Sequence, residues 1–320
     1  MVYLEADQLQ QFLKGGVMFY LFLAILCSAS IALIFKYTEN TNTNRYVITS
    51  ANYFIAFVTS LIMISYTGLL EGITRETSFV NEVTMVMGND QRILSPYSSM
   101  VWGILIGGIS GVFFFLSFTY YQKSVKDNGV GISGTIAKLG ILIPMIFSII
   151  IWREFPTSIQ WIGILLSLVS IVVINLSKRS IKNFDFKPTL LLLFVFGGMA
   201  EFSNKIYQKY ALNDYKDVFL FAIFFIAFLI SVTYTVNAKG KATVKDILTG
   251  FAVGIPNLFS SYFLILSLDS LKTSVAFPIY SAGSIVLINI GGFLIYREKI
   301  ALKNQLAIVM TIVALILINI

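Results

Sequence analysis

The chain has 320 residues, of which 57% are hydrophobic, 15% aromatic and only 12% charged, and its formal net charge is +7. So apolar a composition excludes an ordinary soluble globular protein. Histidine is absent and Cys27 is the only cysteine, which excludes histidine triads, histidine metal sites, histidine proton relays and any intramolecular disulfide.

Cutting the chain at its charges leaves ten long apolar segments: 15–35, 46–70, 93–122, 128–152, 155–177, 188–208, 218–238, 247–268, 273–296 and 304–320. Each is close to the roughly 20 residues that cross a hydrocarbon core as a helix. No room remains for a soluble domain, and backbone groups in lipid must be satisfied within helices. The predicted fold is an all-α polytopic membrane protein with ten transmembrane helices.

The leading stretch MVYLEADQLQQFLKGG is mixed in charge and the first apolar run is long, so the first segment reads as a retained helix rather than a cleaved signal. In the third, Gly103, Gly107 and Gly111 recur every four residues, a spacing that lets membrane helices approach closely. Tyr120 and Tyr121 near its end read as interfacial belt. The fourth opens with GVGISG at 129–134, which matches a dinucleotide fingerprint by letter but follows a membrane helix, not a strand. It also carries Lys138 and Pro144, and the pair Arg153 and Glu154 after it reads as a local salt bridge at a span end.

The sixth segment contains GGMAEFSNKIYQ at 197–208, where Gly197, Glu201, Asn204, Lys205 and Gln208 share one helical stripe. Polar residues of this kind can also be interhelical glue. The eighth holds Pro256 and Asn257, and the ninth holds Pro278, Tyr280 and Ser281. A proline removes a helical donor, and the carbonyl it frees can face a cavity.

The positive charges flank the apolar segments, so they read as topology rather than as a nucleic-acid surface. Odd-numbered connections hold fourteen Lys and Arg against seven on the opposite side. That bias places the odd connections in the cytoplasm, both termini outside, and the acidic 71–92 connection outside.

IWRE at 151–154 recurs as IYRE at 295–298, and the 144-residue offset continues from Ile164 to Ile308, Val169 to Val313, and the IN at 174–175 to the IN at 318–319. FKY at 35–37 is echoed by QKY at 208–210. The chain therefore divides into halves 1–178 and 179–320, joined by KRSIKNFDFK. Five spans per half is an odd number, so the second half is expected to lie inverted relative to the first, as in carriers that rock around a midplane site.

Residues 152–175, WREFPTSIQWIGILLSLVSIVVIN, and 296–319, YREKIALKNQLAIVMTIVALILIN, resemble the ten-span, EamA-type branch of the drug/metabolite transporter (DMT) superfamily. The resemblance implies two EamA-like repeats forming a secondary carrier of small metabolites. It further implies a cavity lined by helices one, three, four, six, eight and nine, with five and ten to the side. Ala307 where the first copy has Gly163, and the missing counterpart of Pro156, depart from a perfect repeat. AEFSNKIYQKYA is similar to the opening of four-span small multidrug transporters through Ala200, Glu201, Lys209, Tyr210 and Ala211. That second resemblance implies proton exchange at Glu201; Lys205 departs from it and disfavours a purely cationic substrate.

A charge near the bilayer centre costs about 2.5–3.5 kcal/mol and usually faces a cavity or a partner. Lys138, Glu201 and Lys205 qualify. Lys138 lies ten residues into the fourth segment and Glu201 thirteen into the sixth, depths of roughly 15 and 20 Å. Lys138 can therefore meet Glu201 across the two halves, while Lys205 can meet Glu201 on one helix face. Spacing leaves both pairings open.

The expected function is secondary active transport of a small polar metabolite across the cell membrane by alternating access, with Glu201 as proton-coupling residue. Two lysines against one glutamate point to an anionic or zwitterionic substrate. The substrate-binding candidates are Lys138, Glu201, Asn204, Lys205, Asn257, Tyr280 and Ser281. The competing class is an integral-membrane enzyme or lipid-handling protein using the same charges on a lipid. It is disfavoured because no cluster of acids or metal ligands projects from the span ends; separately, the lack of an ATP-binding loop excludes pumping by hydrolysis for this chain alone. The expected partners are a small-molecule substrate and the lipid bilayer, with no cofactor, metal or nucleic acid.

Overall fold

The computed structural model describes residues 6–39, 43–71, 73–74, 77–88, 93–128, 130–175, 188–237, 242–297 and 302–319. Linker 178–187, the boundary between the two halves, Gly129 and Glu298 lie outside these residues. The helices are α1 (Ala6–Glu39), α2 (Arg45–Thr67), α3 (Phe79–Met87), α4 (Pro96–Asn128), α5 (Val130–Leu139), α6 (Leu142–Trp152) and α7 (Ser158–Asn175). They continue with α8 (Pro188–Tyr210), a 3₁₀ turn (Asn213–Tyr215), α9 (Lys216–Asn237), α10 (Val244–Ser267), α11 (Thr273–Tyr296) and α12 (Leu302–Asn319). Among the described residues no strand occurs.

Among the described residues, eight helical stretches are long and apolar enough to cross a membrane, counting α5 and α6 as one stretch, Ile132–Trp152. The expected fifth and tenth segments form α7 and α12, which are apolar but shorter. The chain is a multi-pass, all-helical membrane protein.

The fourth segment is not one helix. It breaks between α5 and α6, where the proline ring of Pro144 conflicts with the carbonyl four residues earlier, that of Gly140. Ile143 N donates to that carbonyl at 3.0 Å in a tighter turn. Gly140 is also pressed against α8, since a Cβ there would lie 3.1 Å from Gly198 N. Pro256 and Pro278, by contrast, sit inside continuous helices, so the breaks expected there do not form.

Three tight seams hold the bundle. On α4, a Cβ on Gly107 would meet Phe219 O at 2.6 Å, and one on Gly111 would meet Ile226 Cβ at 2.9 Å, so these glycines let α9 approach. Phe219, Ile223 and Phe224 of α9 are fully buried there, and Tyr207 of α8 stacks on Phe219 at 4.4 Å. Between α2 and α10, a Cβ on Gly250 would meet Ile48 O at 2.7 Å. The same seam is clamped at its end by Asp246, which closes a capping box with Thr243 and accepts from Asn44 N at 2.9 Å. Between α7 and α12, Thr311 Oγ1 donates to Ser170 Oγ at 2.8 Å and Gln160 Nε2 to Ile318 O at 3.2 Å.

The packing echoes the sequence repeat. α1 packs on α10 as α8 packs on α4, and α2 packs on α10 as α9 packs on α4. The α2–α9 and α7–α12 contacts map onto themselves under the same exchange. Arg153 after α6 and Arg297 after α11 both cap their helices at φ 54°, the only non-glycine residues with positive φ among those described.

Candidate functional site

α8, which carries Glu201, Asn204 and Lys205, packs against α4, α5 and α6 and also touches α9 and α10. Two members of its stripe are buried, Asn204 fully and Lys205 at 4% exposure, while Glu201 and Gln208 are half-buried. Charges so placed must be paired, because desolvating an isolated ion costs several kcal/mol.

Lys205 does not pair with Glu201. Its ammonium lies 2.9 Å from Glu154 Oε1, donates to Gln208 Oε1 at 3.1 Å, and sits 5.6 Å from the Trp152 ring. The left-handed turn at Arg153 delivers Glu154 inward while Arg153 stays exposed. The expected Arg153–Glu154 salt bridge therefore does not form, and the glutamate serves the interior instead. Glu154 Oε2 also accepts from Thr273 N at 2.7 Å, and its carbonyl accepts from Ser274 Oγ at 3.1 Å. One carboxylate thus ties the end of α6 to α8 and to the first turn of α11. Trp152 Nε1 donates to Tyr210 OH at 3.0 Å, and Tyr210 packs edge-on against Trp102 at 5.8 Å. These residues form one polar and aromatic layer that joins α4, α6, α8 and the start of α11.

One helical turn below Lys205 on α8 lies Glu201, and Lys138 of α5 is near enough for the two opposite charges to influence each other without a direct ion pair. Asn204 Nδ2 donates to Glu201 Oε2 at 3.3 Å, leaving Asn204 Oδ1 buried without a hydrogen-bond partner. The Lys138 ammonium lies 5.9 Å from the Tyr280 ring, whose hydroxyl is 2.8 Å from Ser260 Oγ. Ser281 Oγ donates to the Lys138 carbonyl at 3.3 Å, and Ser260 Oγ to Ala24 O of α1 at 3.2 Å. Lys138 and Glu201 are half-buried.

Lys138 of α5 therefore meets Tyr280 and Ser281 of α11, while Glu201 meets Asn204 on α8. Lys205 belongs to the adjoining layer with Glu154. Asn257 is used elsewhere: its Nδ2 donates to Asn52 Oδ1 at 3.2 Å and links α10 to α2. Sequence reasoning missed Glu154 as a partner of Lys205, although the repeated IWRE and IYRE marked the position. It also missed Trp152 and Gln208 as the rest of that layer. With Glu154 included, Lys138 and Lys205 face Glu154 and Glu201, and the formal charges cancel.

Comparison with known proteins places this geometry in context. A 22% identical protein of Haemophilus influenzae, described as uncharacterized, aligns over 92% of this chain and 95% of its own length. A putative sugar uptake protein of Bacillus cereus is 27% identical over 63% of this chain and 72% of its own. The glucose uptake protein GlcU of Bacillus subtilis is 24% identical over 66% of this chain and 75% of its own. A solved crystal structure superposes with a TM-score of 0.66 at 16% identity, covering 95% of this chain and 96% of the other, a likeness of fold. Residues 15–176, half of the chain, match the EamA-like transporter family model, and the chain belongs to that family.

Proposed function

We propose that this protein is a secondary active transporter that carries a small polar, net-neutral or zwitterionic metabolite across the cell membrane by alternating access, with Glu201 as the proton-coupling residue. The observation that carries the reading is the charge-balanced constellation of Lys138, Glu201, Lys205 and Glu154 enclosed among α5, α6, α8 and α11. Counted without Glu154, the lysines favour an anion; counted with it, nothing demands a charged substrate. Asn204 Oδ1 without a partner, Tyr280 and Ser281 offer the neutral hydrogen-bonding groups that a polyhydroxylated molecule needs. Relatives named for sugar and glucose uptake favour the same class.

The halves 1–178 and 179–320 are proposed to be inverted five-helix repeats, with α7 and α12 completing the ten spans and both termini outside. The repeated caps and the self-mapping packing support this arrangement. Movement would then alternate between closure at the Lys205–Glu154 layer and closure at the opposite end.

Proteoliposome uptake tests the reading. Labelled glucose, a labelled zwitterionic amino acid and a labelled organic anion are offered with and without an acid-outside pH gradient. Gradient-driven accumulation of the neutral or zwitterionic solute is expected; accumulation of the anion alone would overturn the substrate class, and indifference to the gradient would overturn the coupling.

A further inference from the structure

α1 packs against both α10 and α11. Among these three helices lies a cleft of about 430 Å³, lined by Leu33 and Tyr37 of α1, Leu248, Thr249 and Ala252 of α10, and Tyr296 of α11, with no wall from α5 or α8. Leu248 is 61% exposed there, an apolar side chain left to lipid on a membrane helix. Each lining tyrosine carries a lysine: Lys36 Nζ stands 5.5 Å from the Tyr296 ring, and Lys245 Nζ 5.7 Å from the Tyr37 ring. Tyr296 is pinned in turn, its hydroxyl donating to Leu33 O at 2.7 Å. Thr249 is 9% exposed on the cleft wall, and its hydroxyl forms no hydrogen bond among the described residues. The chain segments that meet at this end, 36–46, 238–246 and 297–303, carry eight Lys and Arg against Glu39, Asp246 and Glu298. Asp246 is buried in its capping box, so the surplus of cations is larger still at the surface.

We propose that this cleft seats an anionic phospholipid, with one acyl chain along Leu33, Leu248 and Ala252 and the headgroup phosphate against Lys36 and Lys245. Basic clusters beside a membrane span draw anionic lipid, and basic pockets between spans hold its headgroup. The apolar walls take a chain that a free phosphate does not have. Thr249 lies between the two regions, where its unused hydroxyl donates to an ester carbonyl of the lipid. A zwitterionic headgroup brings a cation of its own to a rim that is already positive, so the cleft selects against it. The two tyrosine rings hold the ammonium groups at the cleft, since a cation is drawn to the face of an aromatic ring. The proposal rests on membrane embedding, not on the identity of the transported metabolite.

Native mass spectrometry of the purified full chain tests it, with dioleoyl phosphatidylglycerol, phosphatidylcholine, phosphatidylethanolamine and soluble glycerol phosphate offered separately. The expected result is phosphatidylglycerol preferred about 25-fold over the zwitterionic lipids, roughly fivefold from each of two lysines near the surface. Lys36→Gln and Lys245→Gln should each reduce that preference about fivefold, and the double variant should abolish it. Ala252→Phe, which fills the cleft at unchanged charge, should lower phosphatidylglycerol retention severalfold. Retention undiminished in Ala252→Phe overturns the cleft in favour of the basic surface as a whole. A preference that survives in the double lysine variant places the charge recognition elsewhere and overturns the proposal. Equal retention of phosphatidylcholine by the wild-type chain overturns it whether or not the variants fold, and equal binding of glycerol phosphate overturns the lipid assignment in favour of a soluble anion. Uptake assays report on Glu201 independently, so failure of this site and failure of the transport reading are distinguishable.

Discussion

Lys205 on α8 is held 2.9 Å from Glu154, a residue that the sequence places beyond the end of a different helix. The same carboxylate caps the start of α11 through Thr273 N at 2.7 Å. A carboxylate that joins α6, α8 and α11 in this way is a structural tie between three helices.

Removing one partner leaves the other charge buried. Glu154→Gln should destabilise the protein by about 3 kcal/mol, near the lower end for buried pairs, because Glu154 keeps 16% of its side chain exposed. The exchanged pair Glu154→Lys with Lys205→Glu should recover part of the loss. Thermal unfolding of the two singles and the double measures it; additive losses would show that the pair does not interact.

Glu201→Gln should abolish accumulation driven by a pH gradient while leaving substrate exchange across the membrane. Counterflow in proteoliposomes separates the two. Persistence of gradient-driven accumulation in this variant would remove Glu201 from the coupling role.

The opposite charges of Lys138 on α5 and Glu201 on α8 are expected to couple across the two helices. Lys138→Met alone should therefore destabilise more than Lys138→Met combined with Glu201→Gln, with a coupling of about 1–3 kcal/mol. A double variant as unstable as the sum of the singles would contradict the pairing.

The α7–α12 seam admits no extra volume. A Cβ on Gly163 would lie 2.7 Å from Ile318 Cγ1 and 2.9 Å from Ala314 O. Gly163→Leu should lower stability by about 1–3 kcal/mol, the usual range for overpacking, whereas Gly108→Ala, with open space around it, should be nearly neutral. Melting curves of the two variants make the comparison.

Glu82 on α3 fixes that short helix to the start of α4 by accepting from Ser95 N, from Ser95 Oγ at 2.9 Å, from Ser98 Oγ and from Thr77 Oγ1 at 3.1 Å. Partial burial raises its pKa, but the hydrogen bonds from Ser98, Ser95 and Thr77 outweigh it and leave the carboxyl below its ordinary 4.5. A depressed folded value means stability that is fully present above 4.5 and lost as pH falls through the lower folded value. Glu82→Gln should flatten the acid limb of the stability profile; an unchanged limb would place the acid sensitivity elsewhere.

Much was determined by the sequence alone. Charge-free runs fix the all-helical membrane class, because lipid offers backbone groups no other partner. The 144-residue offset marks the two arginines that cap α6 and α11 alike, and four-residue glycine spacing marks the α4 face that meets α9. The stripe of Glu201, Asn204 and Lys205 is legible because helical periodicity puts those residues on one face. What tertiary structure decided is the pairing. Lys205 can reach Glu201 along its own helix, yet it takes Glu154, because a left-handed turn at Arg153 delivers that carboxylate across the bundle. The same holds for the break at Gly140, which depends on Pro144 and on the close passage of α8 together. Periodicity describes one helix at a time, whereas the charge balance of a buried site is set by what other helices bring to it.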